Sequence, residues 1–164
     1  MFELYTVALF GHRYIADPFH LEAQLEELIH RILSEQPYVD FLVGENGDFD
    51  RYASSIIHRL RQKQQNSISD HTLVLPYLTA KYLNNREYYE KYYSDVIVSE
   101  QAASAHPKAA ITLRNYEMVD RADLIICYVE YESGGAWKAV DYALRQNKKV
   151  INLAEKSTYK KELV

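Results

Sequence analysis

Leu124-Ile125-Ile126-Cys127-Tyr128-Val129, followed by Glu130-Tyr131-Glu132-Ser133-Gly134-Gly135 and then the run Ala136–Gln146, is the stretch from which the fold is read. Six mostly apolar residues halted by a polar, glycine-bearing loop are the pattern of a strand buried on both faces. Trp137, Val140, Tyr142, Ala143 and Leu144 then return at helical spacing. A strand that passes through a loop into a helix is the repeating unit of a parallel sheet.

Moving outward, the same unit recurs. Tyr5–Phe10 reads as a strand stopped by Gly11, and Leu21, Leu25, Leu28, Ile29, Ile32 and Leu33 give a helix that leaves at Pro37. Tyr38–Val43 is a second strand, halted by Gly44, with Ala53, Ile56, Ile57 and Leu60 forming the next helix. That helix ends loosely over Gln62–Ser67, ahead of a third strand, Thr72–Leu75. Asp95–Ser99 reads as a short fourth strand, Ala110, Leu113, Met118 and Val119 as a helix after Pro107, and Val150–Leu153 as the closing strand. Tyr77–Tyr93 has no clean period, and Lys156–Val164 reads as a frayed tail. The expected architecture is a Rossmann-like three-layer α/β/α domain with a mostly parallel central sheet, spanning residues 1–164 as one unit. Right-handed crossovers place every strand-to-helix loop on one edge, where open sheets of this kind bind ligands.

Composition narrows the function classes. The 164 residues are 48% hydrophobic and 26% charged, ordinary globular usage. A net charge of −4 argues against broad nucleic-acid binding, which needs a strongly basic surface. The single cysteine, Cys127, permits no intrachain disulfide and reads as a buried strand residue. The start Met1-Phe2-Glu3-Leu4 lacks the basic and long apolar segments of a signal peptide, and no run approaches the ~18 apolar residues of a membrane span, so a cytoplasmic, non-membrane location is expected. The six histidines show no paired metal-ligand spacing, and no Gly-x-Ser-x-Gly elbow is present, so neither a metal, a cofactor nor Ser–His hydrolysis is expected.

Three loops carry the candidate chemistry. In Gly11-His12-Arg13 the glycine lets backbone approach a ligand, Arg13 suits a phosphate, and His12 can donate or exchange a proton. Gly44-Glu45-Asn46-Gly47-Asp48-Phe49-Asp50 makes a tight turn with exposed amides at a helix start, and its acidic groups suit ribose hydroxyls or a cation better than bare phosphate; at least one of Asp48 and Asp50 is explained as a helix cap. Its oxygens lack the spacing of an EF-hand. Glu130-Tyr131-Glu132-Ser133-Gly134-Gly135 offers Ser133, two glycines and a helix amino terminus as a phosphate cradle, without the lysine of a P-loop. Fifteen tyrosines, many between Tyr77 and Tyr93, serve equally as stacking surface for a base, as a subunit interface, or as packing against the sheet.

These loops, with Arg114-Asn115-Tyr116-Glu117-Met118-Val119-Asp120-Arg121-Ala122-Asp123-Leu124-Ile125-Ile126, resemble the SLOG superfamily, the Rossmann-like group holding the Lonely Guy and DprA/Smf proteins. The chain is most similar to the DUF1273/YpsA-like branch, whose Gly-x-x-x-Gly-Phe-Asp pattern Gly44–Asp50 matches with Asp48 inserted. The resemblance implies a nucleotide-like phosphorylated ligand. Lonely Guy enzymes cleave the N-glycosidic bond of a nucleoside monophosphate with an arginine, here matched by Arg114, and a glutamate in Pro-Gly-Gly-x-Gly-Thr-x-Glu. Ser133, Trp137, Lys138 and Val140 stand at the proline, glycine, threonine and glutamate of that pattern, so the resemblance carries binding over but not that catalysis. Asp141 is one step round the helix, about 100° away.

The expected function is therefore a sensor or binding module. Gly134 and Gly135 would hold phosphate, Arg13 and Arg114 would neutralise charge, and Asn46, Asp48 or Asp50 would hold ribose; Gly11, His12, Gly44, Asn115, Glu130 and Ser133 complete the candidate site. The alternative is a hydrolase of N-glycosidic or phosphoester bonds with Asp50, Glu130 or Glu132 as general acid or base. A third reading has the tyrosines building a homo-oligomer.

Overall fold

The computed structural model describes residues 3–63 and 68–154. Part of the loose helix end and the Lys156–Val164 tail lie outside the described residues.

Among the described residues, β1 (Tyr5–Gly11), β2 (Tyr38–Val43), β3 (Ile68–Leu75), β4 (Asp95–Val98), β5 (Leu124–Tyr128) and β6 (Lys149–Asn152) form one sheet in the order β4-β3-β2-β1-β5-β6. Every neighbouring pair is parallel, so the sheet is wholly rather than mostly parallel. β1 lies at its centre, because the chain winds outward through β2, β3 and β4 and then returns to lay β5 on the other side of β1. That reversal point opens a crevice at the carboxyl edge between β1 and β5.

The period-two alternation of the strands divides the core. Val7, Leu9, Phe41, Leu73, Leu75, Leu124 and Ile126 face one layer, which α1 (Pro18–Glu35) and α2 (Asp48–Lys63) cover with Leu25, Ile29, Phe49 and Ile57. Ala8, Phe10, Leu42, Val74, Ile125 and Cys127 face the other, covered by α6 (Pro107–Arg121) and α7 (Gly134–Arg145) through Met118, Val119, Ala139 and Val140. Each fully buried leucine or phenylalanine contributes about 1.5–3 kcal/mol relative to exposure. Caps fix the helix starts: Asp17 accepts from the His20 amide, and His106 from the Lys108 amide ahead of Pro107.

The segment without a clean period folds as two short helices, α3 (Ala80–Asn84) and α4 (Arg86–Tyr92). Tyr82, Tyr89 and Tyr93 pack into the α1/α2 layer while Tyr77 and Tyr88 stay exposed. Alternating inward and outward tyrosines over two broken helices is what blurs the pattern. A further short helix, α5 (Glu100–Ala103), is capped by Ser99. β3 begins at Ile68, four residues before the expected Thr72, because β2 holds Ser69, Asp70 and His71 in register from Tyr38 onward. No helix among the described residues is long and apolar enough to cross a membrane.

Candidate functional site

The three loops converge. The His12 amide donates to the carbonyl of Tyr128, at the end of β5 (3.3 Å). The amides of Asp48 and Phe49 donate to the Arg13 and His12 carbonyls (2.8 and 3.4 Å), which sews the start of α2 to the β1 loop. The Glu130 amide donates to His12 Nε2 (2.8 Å), joining the β1 and β5 loops through a side chain. These bonds need backbone contact at Gly47, where a Cβ would overlap Arg13, and at Gly11, where it would overlap the Phe49 ring.

Between the loops lies a cavity of about 480 Å³, reached by Gly11, His12, Arg13, Gly44, Asn46 and Asp50 from one side and by Arg114, Asn115, Ser133, Gly134 and Gly135 from the other. Eleven of the thirteen candidate residues thus surround one space. Asp48 and Glu130 do not line it. The Asp48 carboxylate accepts from the Ile15 amide (3.0 Å) and pairs with Arg51 (3.0 Å), and Glu130 accepts from the Tyr128 hydroxyl (2.8 Å). Glu132, the other carboxylate considered for catalysis, is also absent from the lining.

The two helix starts differ. At the head of α2, where exposed amides were expected, those of Asp48 and Phe49 are taken by the β1 loop and that of Asn46 by the Asp50 carboxylate, so these three are not offered to an anion. At α7, Ser133 makes no side-chain cap bond, Gly134 adopts φ +91, and nothing lies within 4 Å of a Cβ built on Gly134 or Gly135. The first amides of a helix have no partner within it, and the helix dipole adds positive potential there. Open amides over empty space are an anion cradle.

Charge around the cavity is arranged in two tiers. Arg13 is exposed at the rim and forms no ion pair among the described residues. Arg114 is only 2% exposed; its Nη1 donates to the Val74 carbonyl (2.8 Å) and its Nε to Asn115 Oδ1 (2.9 Å), so Asn115 fixes the plane of the guanidinium. Burial lowers the Arg114 pKa from its ordinary value, and Asp50 and Glu45 oppose that shift. Burial likewise raises the Asp50 carboxyl above the ordinary carboxylate range, against the Asn46 amide that donates to it (2.8 Å) and the charge of Arg114. His12 is held below its usual pKa by burial, so the neutral ring dominates.

Two aromatic residues that sequence reasoning passed over also line the cavity. Tyr14 stands at the rim, and Tyr131 stacks on His12 with centroids 4.0 Å apart and planes within 6°. Tyr131 belongs to the third loop, so a residue-by-residue reading of that loop for ring surface would have found it. Val140 is buried in the α6/α7 layer and does not line the cavity. No group of three or more His, Cys, Asp or Glu among the described residues could hold a metal.

No family model matches the chain, and no curated relative does. Solved structures do. The DNA processing protein A (DprA) of Streptococcus pneumoniae superposes with a TM-score of 0.64 at 15% identity over 98% of this chain. DprA of Helicobacter pylori gives 0.63 at 16% identity over 89% of it, and the structural genomics target TM1055 gives 0.59 at 12% identity over 98%. The fold is that of the DprA structures. It is therefore the fold that the SLOG resemblance implies. The chain matches 56% and 63% of the two DprA chains and 81% of TM1055.

Proposed function

We propose that this domain binds a nucleotide or nucleotide-derived phosphorylated ligand in the crevice at the carboxyl edge of its sheet. The observation that carries the reading is the pairing of uncapped α7 amides at Gly134–Gly135 with Arg13, which forms no ion pair among the described residues, across a single cavity of about 480 Å³. Phosphate rests on the α7 amides and meets Arg13. Ribose hydroxyls reach Asp50 and Asn46, and the ordered Arg114 keeps the Asp50 carboxylate from standing alone. Ligand pockets of roughly 300–1,000 Å³ with a few convergent polar groups are the usual size for such molecules.

Thermal melting against a panel of nucleotides and sugar phosphates tests this. A ligand at 100 times its Kd adds about 2.7 kcal/mol, roughly 5–10 °C for a domain this size. No shift with any member of the panel would refute the proposal.

A second reading is favoured by one observation, the raised carboxyl of Asp50 inside the cavity. A carboxyl that burial holds above the ordinary carboxylate range keeps its proton more readily and can donate it to a leaving base during N-glycosidic hydrolysis. Release of free base from a nucleotide panel, abolished in Asp50→Asn and in Arg114→Ala, would establish turnover; identical background rates in all three proteins would eliminate it. The H. pylori DprA structure is described as binding single-stranded DNA. The acidic balance of the present chain favours a small ligand instead.

A further inference from the structure

We infer that the tyrosine-lined cavity beside the crevice is a second base-binding compartment, so that the ligand is a dinucleotide, two nucleosides joined through phosphate. This inference rests on the nucleotide reading above and extends it.

The partition between the two spaces is the loop after β2. Gly44 and Asn46 line the first cavity, whereas Glu45, Gly47 and Asp48 line the second, and Asp50 lines both. Residues of one short segment thus line both cavities, and this turn with the start of α2 lies between them. The second cavity holds about 340 Å³, room for a further nucleoside.

Its aromatic wall is built for a flat ring. His58 stacks on Tyr92 (4.5 Å, 18°), and Tyr92 on Tyr88 (5.9 Å, 9°), giving a column of nearly parallel rings. The column ends at Tyr88, which lines the cavity and is 64% exposed. A base continues such a column, because every base offers a π-face. The polar side of the cavity supplies acceptors for base N–H groups. Glu45 is anchored through Oε2 by the Tyr89 hydroxyl (2.8 Å), and its Oε1 carries no hydrogen bond among the described residues. Lys81 lines the same cavity, is exposed and lies outside every ion pair among the described residues, so it supplies a positive charge for a phosphate there. Two ring-bearing compartments, Tyr14 and Tyr131 on one side and Tyr88 and Tyr92 on the other, share one central carboxyl.

The test is calorimetric titration of the full chain with 5′-phosphorylated homodinucleotides (pApA, pGpG, pCpC, pUpU) and the matching mononucleotides. At least one dinucleotide binds tenfold or more tightly than its mononucleotide. Tyr88→Ala, whose exposed ring leaves the fold intact by melting temperature, removes that advantage and keeps mononucleotide affinity within twofold. Equal affinity for both probes, or an advantage that survives Tyr88→Ala, overturns the second compartment while mononucleotide binding leaves the nucleotide reading standing. Binding of neither probe overturns both. A single-stranded decamer that binds tenfold more tightly than every dinucleotide overturns the assignment to a small ligand.

Discussion

His12 Nε2 accepts a hydrogen bond from the backbone amide of Glu130 at 2.8 Å. An acceptor nitrogen carries no proton, so the neutral ring holds its proton on Nδ1. The bond spans β1 and β5, the two strands that flank the topological reversal, and the stacked Tyr131 ring covers it. It is the side-chain tie that holds one wall of the crevice to the other.

His12→Ala should therefore weaken the domain as well as the site. The Glu130 amide loses its partner, at a cost of about 1–3 kcal/mol, and Tyr131 loses its stacking surface. Urea denaturation of the variant measures this. A loss below about 0.5 kcal/mol would show that the tie is incidental.

Gly135→Asp separates stability from binding. Nothing lies within 4 Å of a Cβ there, and a carboxylate in the first turn of α7 favours the helix by about 0.3–1 kcal/mol. The same charge repels phosphate. The expected outcome is an unchanged or slightly raised melting temperature, with ligand affinity reduced at least tenfold. Retained affinity would place the anion elsewhere.

Gly11→Ala acts through packing. Its Cβ would overlap the ring of Phe49, which is wholly buried in the α1/α2 layer. Overfilling such a position costs about 1–3 kcal/mol, to be read from the urea midpoint. A neutral result would mean that α2 can slide away from β1 without penalty.

His71 gives the domain an acid sensitivity. The ring is fully buried, neither nitrogen has a hydrogen-bond partner among the described residues, and burial pushes its pKa down to about 3. Because the folded value lies below the ordinary 6.5, the unfolded chain takes up the proton first. Stability is fully present above about pH 6.5 and falls as the pH drops toward 3, by up to about 1.4 kcal/mol per pH unit. His71→Phe should flatten this dependence between pH 7 and pH 5. Parallel slopes for the two proteins would assign the acid sensitivity to other groups.

The main elements were legible because their signals are local. Leu124–Tyr128, Tyr38–Val43 and the leucine-rich first helix each carry their own period, and the glycines mark where each strand ends. The tyrosine-rich segment was not legible, since its rings serve two environments at once and α3 and α4 are too short to show a repeat. Asp48 and Glu130 looked like site residues by position in the loops, yet their side chains are spent on Ile15, Arg51 and Tyr128, partners set by folding.

What the chain determined by itself is the alternation of buried strands with amphipathic helices, and hence a parallel sheet with its glycine turns on one edge. Only tertiary structure decided which helix start could take an anion. Both α2 and α7 begin at glycine-bearing stretches, but the placement of β1 between β2 and β5 lets its loop saturate the amides of Asp48 and Phe49 and leave those of Gly134 and Gly135 open. The reason is physical: a backbone amide satisfied by a neighbouring carbonyl has nothing left to offer a ligand, and which carbonyl is the neighbour depends on strand order, which no local pattern encodes.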